Sequence, residues 1–300
     1  MLISIFKQTL PQVWRNKKLW ILGVLTSFLG ASEETELLSN LLIPKRKNIF
    51  NFFEQLRETQ LFTQKGLGSL WAHMTQEPLF FSKLIIIFGG VFALSVILFW
   101  LSLIAQGGII HAASKLKTHP IENIKPYLQK GKKKFWPIFG INVISKIIIG
   151  LIFYIITYQL IKNIWLMLIL FLAFIILVSV IYLMMKISIC SVVLDDNGFF
   201  PAVKKSFHML AEHWMEYMKL LITLLAITIG GIFLSFASLT ITFIPFYLIM
   251  EASIILNIAF AANIIFILYF IFASIFLVLF FGFLSSVSWT AWTHAYQNKK

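Results

Sequence analysis

Long stretches of chain without a charged side chain restrict this protein to one class of fold. Of its 300 residues, 59% are hydrophobic and only 12% are charged, which is about half the charged fraction of a soluble globular domain. A helix needs about 20 apolar residues to cross the hydrocarbon core of a bilayer. Six runs reach or approach this length, and they predict spans near residues 19–31, 84–105, 138–161, 164–185, 220–244 and 264–286. The sequence therefore predicts a multi-pass membrane protein.

The apolar runs lie close together in the sequence, so we expect a single membrane domain over residues 1–300. Backbone polar groups inside a bilayer must bond within their own helix, which predicts an all-α fold. We expect a polytopic bundle of about six transmembrane helices, with amphipathic helices in the interface. Pro245 is expected to end the fifth span, and residues 246–263 to form an outer extension or a surface helix.

The first apolar run, residues 19–31, is shorter than the others and allows two interpretations. It forms a thin span if neighbouring long side chains reach the membrane surface. It forms a cleaved signal peptide if Leu29, Gly30 and Ala31 act as a cleavage site. The amphipathic, Trp-containing residues before it are unlike an ordinary signal sequence and favour the span. Residues 32–78, which follow, are predicted to be an extracytoplasmic loop.

Three segments share a pattern in which polar or basic residues lead through a Trp into an apolar run. The segments are Arg15 to Trp20, Lys132 to Trp136 and Lys204 to Trp214. Basic residues opposite aromatic ones suit the lipid headgroup layer, so we expect short interfacial helices there. Pro11 lies inside the first of these helices, so a kink or two short helices are expected there. The pattern predicts three repeated helical hairpins.

Three short motifs make this chain resemble a poorly characterised family of bacterial six-span membrane proteins. They are WRNKKLWILG from Trp14, PAVKKSFHMLAEHWMEYMKLL from Pro201, and Ala105-Gln106-Gly107-Gly108. The family itself resembles the membrane domain that accompanies some glycerophosphodiester phosphodiesterases. The resemblance implies a six-span architecture over nearly the whole chain. It brings no catalytic residues, because the phosphodiesterase chemistry belongs to a separate soluble domain.

The net charge of +13 is arranged as a topology signal, so no nucleic-acid partner is expected. With six spans, the segments on the side of the N-terminus hold more than twice as many Lys and Arg residues as those on the other side. Lys and Arg favour the cytoplasmic side. We therefore predict a protein of the cell membrane with both termini in the cytoplasm.

Polar clusters in the sequence do not predict an enzyme, a metal site or a cofactor. His208, Glu212 and His213 are spaced so that the two His side chains point about 140° apart on a continuous helix, which cannot close around one ion. The stretch from Asp195 to Gly198 lacks the alternating ligands of a calcium loop and predicts a turn. We expect no catalytic residues.

Five lysines next to aromatic residues predict contacts with anionic lipid. They are Lys132, Lys133, Lys134, Lys204 and Lys205. Each basic residue near an anionic leaflet contributes about 1 kcal/mol to membrane attraction. The favoured function is that of a non-enzymatic, lipid-contacting scaffold or lipid-handling component, with membrane lipids as partners.

Asn142 and Lys146 lie one helical turn apart inside the third run and form a candidate polar site. A cation within a span faces the bundle interior or a watery cavity in many functional sites. Alternatively, Lys146 extends to the nearby surface. A polar cavity near Lys146 would favour a transporter of small solutes or lipids. An intramembrane enzyme is a further alternative, but the spans offer few acids or bases for it.

Overall fold

The computed structural model describes residues 2–28, 78–116, 121, 123–159, 164–256 and 258–299. These ranges contain helices and short turns and no strand, so the prediction of an all-α fold is confirmed. In chain order the helices are α1 (Leu2–Arg15), α2 (Lys17–Ser27), α3 (Pro78–Lys115), α4 (Lys125–Lys133), α5 (Phe135–Gln159), α6 (Ile164–Leu194), α7 (Phe199–Ile255) and α8 (Ala259–Lys299).

Among the described residues, five helices are long and apolar enough to cross a bilayer, and this makes the chain a multi-pass membrane protein. They are α3, α5, α6, α7 and α8, and each contains one of the predicted runs. The described part of the first run, in α2, ends at Ser27. Residues 29–31 and the predicted loop as far as residue 77 lie outside the described residues. Six spans and three repeated hairpins therefore stay predictions.

Four of the spanning helices, α3, α6, α7 and α8, run well beyond the ends that the hydropathy pattern indicates. α3 continues through Gln106 to Lys115, and α6 continues through Ser188 to Leu194. The polar side chains that mark these extensions find partners on neighbouring helices. Gln106 Oε1 accepts a hydrogen bond from Asn142, and Ser188 Oγ donates to Ser206. Paired polar groups allow the helices to remain packed past the apolar run.

The prediction that Pro245 ends the fifth span is wrong, and Pro11 does not divide α1 into two helices. Pro11 lies inside the continuous helix α1, and Pro245 lies inside α7, which extends to Ile255. A proline removes only the one hydrogen bond to the carbonyl four residues earlier. For Pro11 that carbonyl belongs to Lys7, an exposed residue, so water can satisfy it. Of the two alternatives for residues 246–263, the described residues 246–255 form an extension of α7 and not a separate surface helix.

The backbone breaks at three places where a polar segment turns into an apolar helix. Asn16 (φ −103°, ψ 74°) separates α1 from α2, and Lys134 (φ −101°, ψ 12°) separates α4 from α5. His213 (φ −125°, ψ 25°) interrupts α7. A Trp follows each break within four residues, namely Trp20, Trp136 and Trp214. The breaks coincide with the three membrane entries indicated by the sequence.

Burial is concentrated at the end of the bundle where α3, α6 and α8 finish, which we call the packed end. Buried side chains cluster there between Leu103 and Ala113, between Tyr182 and Val193, and between Leu284 and Tyr296. The opposite halves of these helices expose mostly apolar side chains. In a bilayer these surfaces face lipid tails, so their exposure costs little.

The helices close into a ring around the packed end. α2 lies between α8 and α3, α4 lies against α3, α5 lies against α3 and α6, and α7 lies between α6 and α8. α3, α6 and α8 also contact one another within this ring. α2, α5 and α7 therefore each bridge two of these three helices.

Candidate functional site at the packed end

The turn between α6 and α7 carries two aspartates and connects most of the packed end. Asp196 adopts a left-handed backbone conformation (φ 57°), which Asp tolerates better than most residues. Asn197 Nδ2 donates to Ser191 Oγ over 2.9 Å, and Gly198 precedes the first residue of α7. The predicted turn is present, and its conformation directs the two carboxylates toward different helices.

The Asp196 carboxylate joins this turn to the end of α4. Lys130 Nζ lies 2.6 Å from Asp196 Oδ1, and Lys134 Nζ lies 3.1 Å from the same oxygen. Lys134 also donates to the Asp196 backbone carbonyl over 3.0 Å. Hydrogen bonds from Lys130 and Lys134 lower the pKa of Asp196 from 3.8 to about 2. The carboxylate is therefore held ionised near neutral pH.

The Asp195 carboxylate joins the turn to α7 and α8 in a more buried setting. Lys205 Nζ lies 2.6 Å from Asp195 Oδ2, and the Tyr296 hydroxyl donates to the same oxygen. Only 8% of the Asp195 side chain is exposed. A buried carboxylate needs such partners, because removal from water is costly for an unpaired charge.

These ion pairs divide the five predicted lipid-contacting lysines into two groups. Lys134 and Lys205 are paired with Asp196 and Asp195. The remaining three, Lys132, Lys133 and Lys204, are exposed and form no ion pair with any residue that the structure describes. Among the described residues, no carboxylate neutralises their charges.

Large aromatic side chains are exposed on α5, which directly follows α4, and on α7, which carries Lys204. We call the combined set the basic–aromatic surface: Lys132, Lys133, Lys204, Trp136, Phe200, Phe207 and Trp214. The two halves of this surface are neighbours, because a Cβ on Gly140 of α5 would meet the Phe199 ring of α7 at 3.2 Å. Exposed aromatic rings beside lysines are typical of the membrane–water interface.

Asn142 and Lys146, the predicted polar pair, have different surroundings. Asn142 is buried, and its Nδ2 donates to Gln106 Oε1 over 3.0 Å and to the Ile138 carbonyl over 2.9 Å. Its Oδ1 is buried without a hydrogen-bond partner. Lys146 is exposed one turn further along α5. Asn142 therefore links α3 to α5, whereas Lys146 lies on the outer surface of the bundle.

Lys186 is a buried cation that the sequence analysis did not single out. Its side chain is only 1% exposed, and its Nζ lies 3.6 Å from the centre of the Trp289 ring and 5.3 Å from that of Tyr182. A cation over an aromatic face is attracted by the ring electrons. The only local signal is a Lys inside an apolar stretch. The contact with Trp289 of α8 joins distant parts of the chain, so the spacing of residues along the sequence does not reveal it.

His208 and Glu212 form an exposed pair, with His208 Nε2 lying 3.2 Å from Glu212 Oε1. The backbone break at His213 interrupts the continuous helix that the spacing argument assumed. No three His, Cys, Asp or Glu residues in the described ranges group closely enough to hold a metal ion.

Comparison of the chain with protein-family models, with curated proteins and with solved structures finds no match. The resemblance to the six-span family therefore stays a prediction from the motifs quoted above.

Proposed function

We propose that this chain is a non-enzymatic integral protein of the cell membrane that acts as a lipid-contacting scaffold or lipid-handling component. The observation that carries the proposal is the basic–aromatic surface, where three lysines are exposed without an ion pair to the described residues. Each such charge attracts an anionic leaflet by about 1 kcal/mol. The neighbouring aromatic rings favour the headgroup region.

Of the five candidate lysines, we assign the lipid contacts to three. Lys134 and Lys205 already neutralise aspartates of the turn, so an anionic headgroup gains less from them. Lys132, Lys133 and Lys204 have no such competitor among the described residues. This difference provides a matched control within one cluster of lysines.

Six spans, arranged as three hairpins with both termini in the cytoplasm, complete the proposal. Gln12 Oε1 and His294 Nε2 lie 2.9 Å apart, which puts α1 beside the C-terminal part of α8 at the packed end. α3 is buried at its C-terminal half and begins at the opposite end. These positions support a further crossing between α1 and α3, and the lysine distribution supports a cytoplasmic packed end.

Lipid retention on the purified protein tests the proposal. The triple variant K132Q/K133Q/K204Q is expected to retain less anionic phospholipid in native mass spectrometry, and its residual binding is expected to depend less on salt. The control K134Q/K205Q removes two charges from the same cluster but is expected to retain nearly as much lipid as the parent. Equal retention by the triple variant and the parent would contradict the proposed lipid contacts.

A transporter of small solutes or lipids is the second candidate, with Asn142 and Lys146 as its polar site. The observation in its favour is the buried Asn142 Oδ1 without a hydrogen-bond partner, since such an atom favours a visiting donor. Lys146→Met separates the two functions. Loss of solute or lipid flux with unchanged lipid retention would favour transport, whereas unchanged flux, retention and stability would remove Lys146 from any site.

A further inference from the structure

A cavity of about 230 Å³ opens at the packed end between α1, α7 and α8. Its apolar wall includes Ile5 of α1 and Leu220 of α7, and its charged wall includes Glu216, Lys219 and Lys299. The volume lies below the roughly 300–1,000 Å³ of pockets for drug-sized ligands. The cavity therefore suits a small group, such as one headgroup, rather than a whole lipid molecule.

Only one of the two carboxylate oxygens of Glu216 has a hydrogen-bond partner among the described residues. Its Oε1 lies 2.6 Å from Lys299 Nζ, while its Oε2 has no hydrogen-bond partner among the described residues. Glu216 lies on the cavity wall with 43% of its side chain exposed, so a ligand that enters the cavity can supply a donor to the charged oxygen. The site therefore lacks one donor next to Glu216 Oε2.

Lys219 supplies a positive charge on the same wall. It is exposed and forms no ion pair with the described residues. Since Lys299 is paired with Glu216, Lys219 is the charge that remains for an anion. The cavity thus offers a cation for a phosphate and a carboxylate oxygen for a donor.

The depth of the cavity matches the headgroup layer. Glu216 and Lys219 follow the backbone break at His213 and the exposed Trp214. The buried Leu220 begins the apolar part of the helix. A Trp at this position is typical of the boundary between lipid tails and headgroups.

We propose that this cavity binds the headgroup of one phospholipid whose amine is a primary ammonium, as in phosphatidylethanolamine. Lys219 binds the phosphate, and the ammonium donates an N–H to Glu216 Oε2. A quaternary ammonium, as in phosphatidylcholine, has no N–H and leaves Oε2 without a donor. The site is separate from the basic–aromatic surface and does not depend on it.

Competition between the two lipids on the full-length protein tests this proposal. The delipidated protein is titrated with phosphatidylethanolamine and phosphatidylcholine in equal amounts, and bound lipid is counted by native mass spectrometry. The parent is expected to retain one phosphatidylethanolamine in preference to phosphatidylcholine. Glu216→Gln is expected to reduce that preference by about tenfold, because it weakens a charge-assisted hydrogen bond.

Lys219→Gln is expected to weaken the binding of both lipids by about the same factor, because both carry the phosphate. The preference for phosphatidylethanolamine should therefore stay unchanged. Lys219 is exposed, so this variant is expected to fold. Lys7→Gln removes an exposed charge from α1 outside the cavity wall and should leave both affinities intact. The triple variant of the basic–aromatic surface should keep the preference too, which separates this site from the proposed function.

Two results would overturn the proposal. Equal retention of the two lipids by the parent would exclude recognition of the ammonium N–H. An unchanged preference in Glu216→Gln, or an unchanged affinity for both lipids in Lys219→Gln, would place the bound lipid elsewhere. Soluble phosphoethanolamine provides a further arm. If it displaces phosphatidylethanolamine at equal concentration, the cavity binds a soluble phosphate ester, and the assignment to a lipid is wrong.

Discussion

Asp195 and Asp196 are adjacent in one turn, and burial gives them different energetic roles. Asp195 is almost fully buried between Lys205 and Tyr296, whereas 61% of the Asp196 side chain is exposed beside Lys130 and Lys134. Water screens the exposed pairs and weakens their contribution. Water has little access to the Asp195 carboxylate, so its loss leaves Lys205 Nζ and the Tyr296 hydroxyl without their acceptor.

Substitution of each aspartate by Asn therefore has an unequal effect. Asp195→Asn is expected to lower the free energy of unfolding by about 1.5–3 kcal/mol, the range for hydrogen bonds to charged groups. Asp196→Asn is expected to lower it by less than about 1 kcal/mol, and Asn also tolerates the left-handed backbone there. Thermal unfolding in the same detergent measures both. Equal losses would show that burial does not separate the two carboxylates.

The titration of Asp196 gives a second prediction at this scale. Lys130 and Lys134 lower its pKa from 3.8 to about 2, so the folded state binds the proton less readily than the unfolded state. Its contribution to stability is therefore present above about pH 4 and is lost as the pH falls toward 2. In K130Q/K134Q the pKa should return toward 3.8. Carbon-detected NMR of the carboxyl group measures the shift, and an unchanged midpoint in the variant would contradict it.

At the scale of helices, small residues decide how closely α2 approaches α8. A Cβ placed on Gly23 would lie 2.0 Å from the Gly282 carbonyl oxygen and 2.1 Å from Ser286 Oγ. Ser286 Oγ also donates to the Leu19 carbonyl over 2.8 Å, and Thr26 and Ser285 share a hydrogen bond of 2.7 Å. Packing of small residues and interhelical hydrogen bonds are the main attractions between helices in lipid. The short helix α2 is held by both.

Gly23→Ala is consequently expected to destabilise the protein, although Ala normally favours a helix over Gly by about 1 kcal/mol. The added methyl group meets backbone of α8, which cannot move as a side-chain tip can. Gly90→Ala is the matched control, since a Cβ there meets no atom within 4 Å, and it should be neutral or stabilising. The melting temperatures of the two variants in detergent measure the difference. A Gly23→Ala variant as stable as the parent would show that α2 does not approach α8 this closely.

The sequence predicts local features of these helices well and their partners poorly. Hydropathy finds the apolar part of α3, α5, α6, α7 and α8, because a bilayer selects for apolar length alone. It stops short of the true ends of α3 and α6, since Gln106 and Ser188 are tolerated only through partners on other helices. The contact of Lys186 with Trp289 and that of Gly23 with Gly282 join distant parts of the chain. No local spacing contains that information.

The candidate lipid site, too, can be predicted only in part from the sequence. The sequence identifies five lysines beside aromatic residues, and all five lie at or near the packed end. It cannot show that the turn at Asp195 and Asp196 folds back onto Lys205 and Lys134, which removes two lysines from the available set. The cavity beside Glu216 requires three helices to meet, so only the folded chain reveals it.

At the scale of the whole molecule, the two ends of the bundle differ in chemistry. The packed end contains the buried Lys186, the aspartate turn and the lysines, whereas the other half exposes apolar side chains. A protein with this asymmetry has one end built from interhelical polar contacts and another stabilised mainly by lipid. The positive charge of the packed end favours the cytoplasmic side of the membrane.

Reporter fusions test this orientation together with the number of spans. Fusions after Lys134, after Ser206 and at the C-terminus are expected to report the cytoplasm, because all three positions belong to the packed end or adjoin it. A fusion within residues 54–65 is expected to report the outside, since that segment precedes α3, which begins at the opposite end of the bundle.

The number of crossings decides between two outcomes. If α2 did not cross the membrane, residues 54–65 would lie on the same side as α1, which is bonded to α8 at the packed end through Gln12 and His294. A cytoplasmic signal from residues 54–65 with a cytoplasmic C-terminus would thus contradict the six-span arrangement. Opposite signals from Ser206 and the C-terminus would contradict the pairing of α7 with α8 as one hairpin.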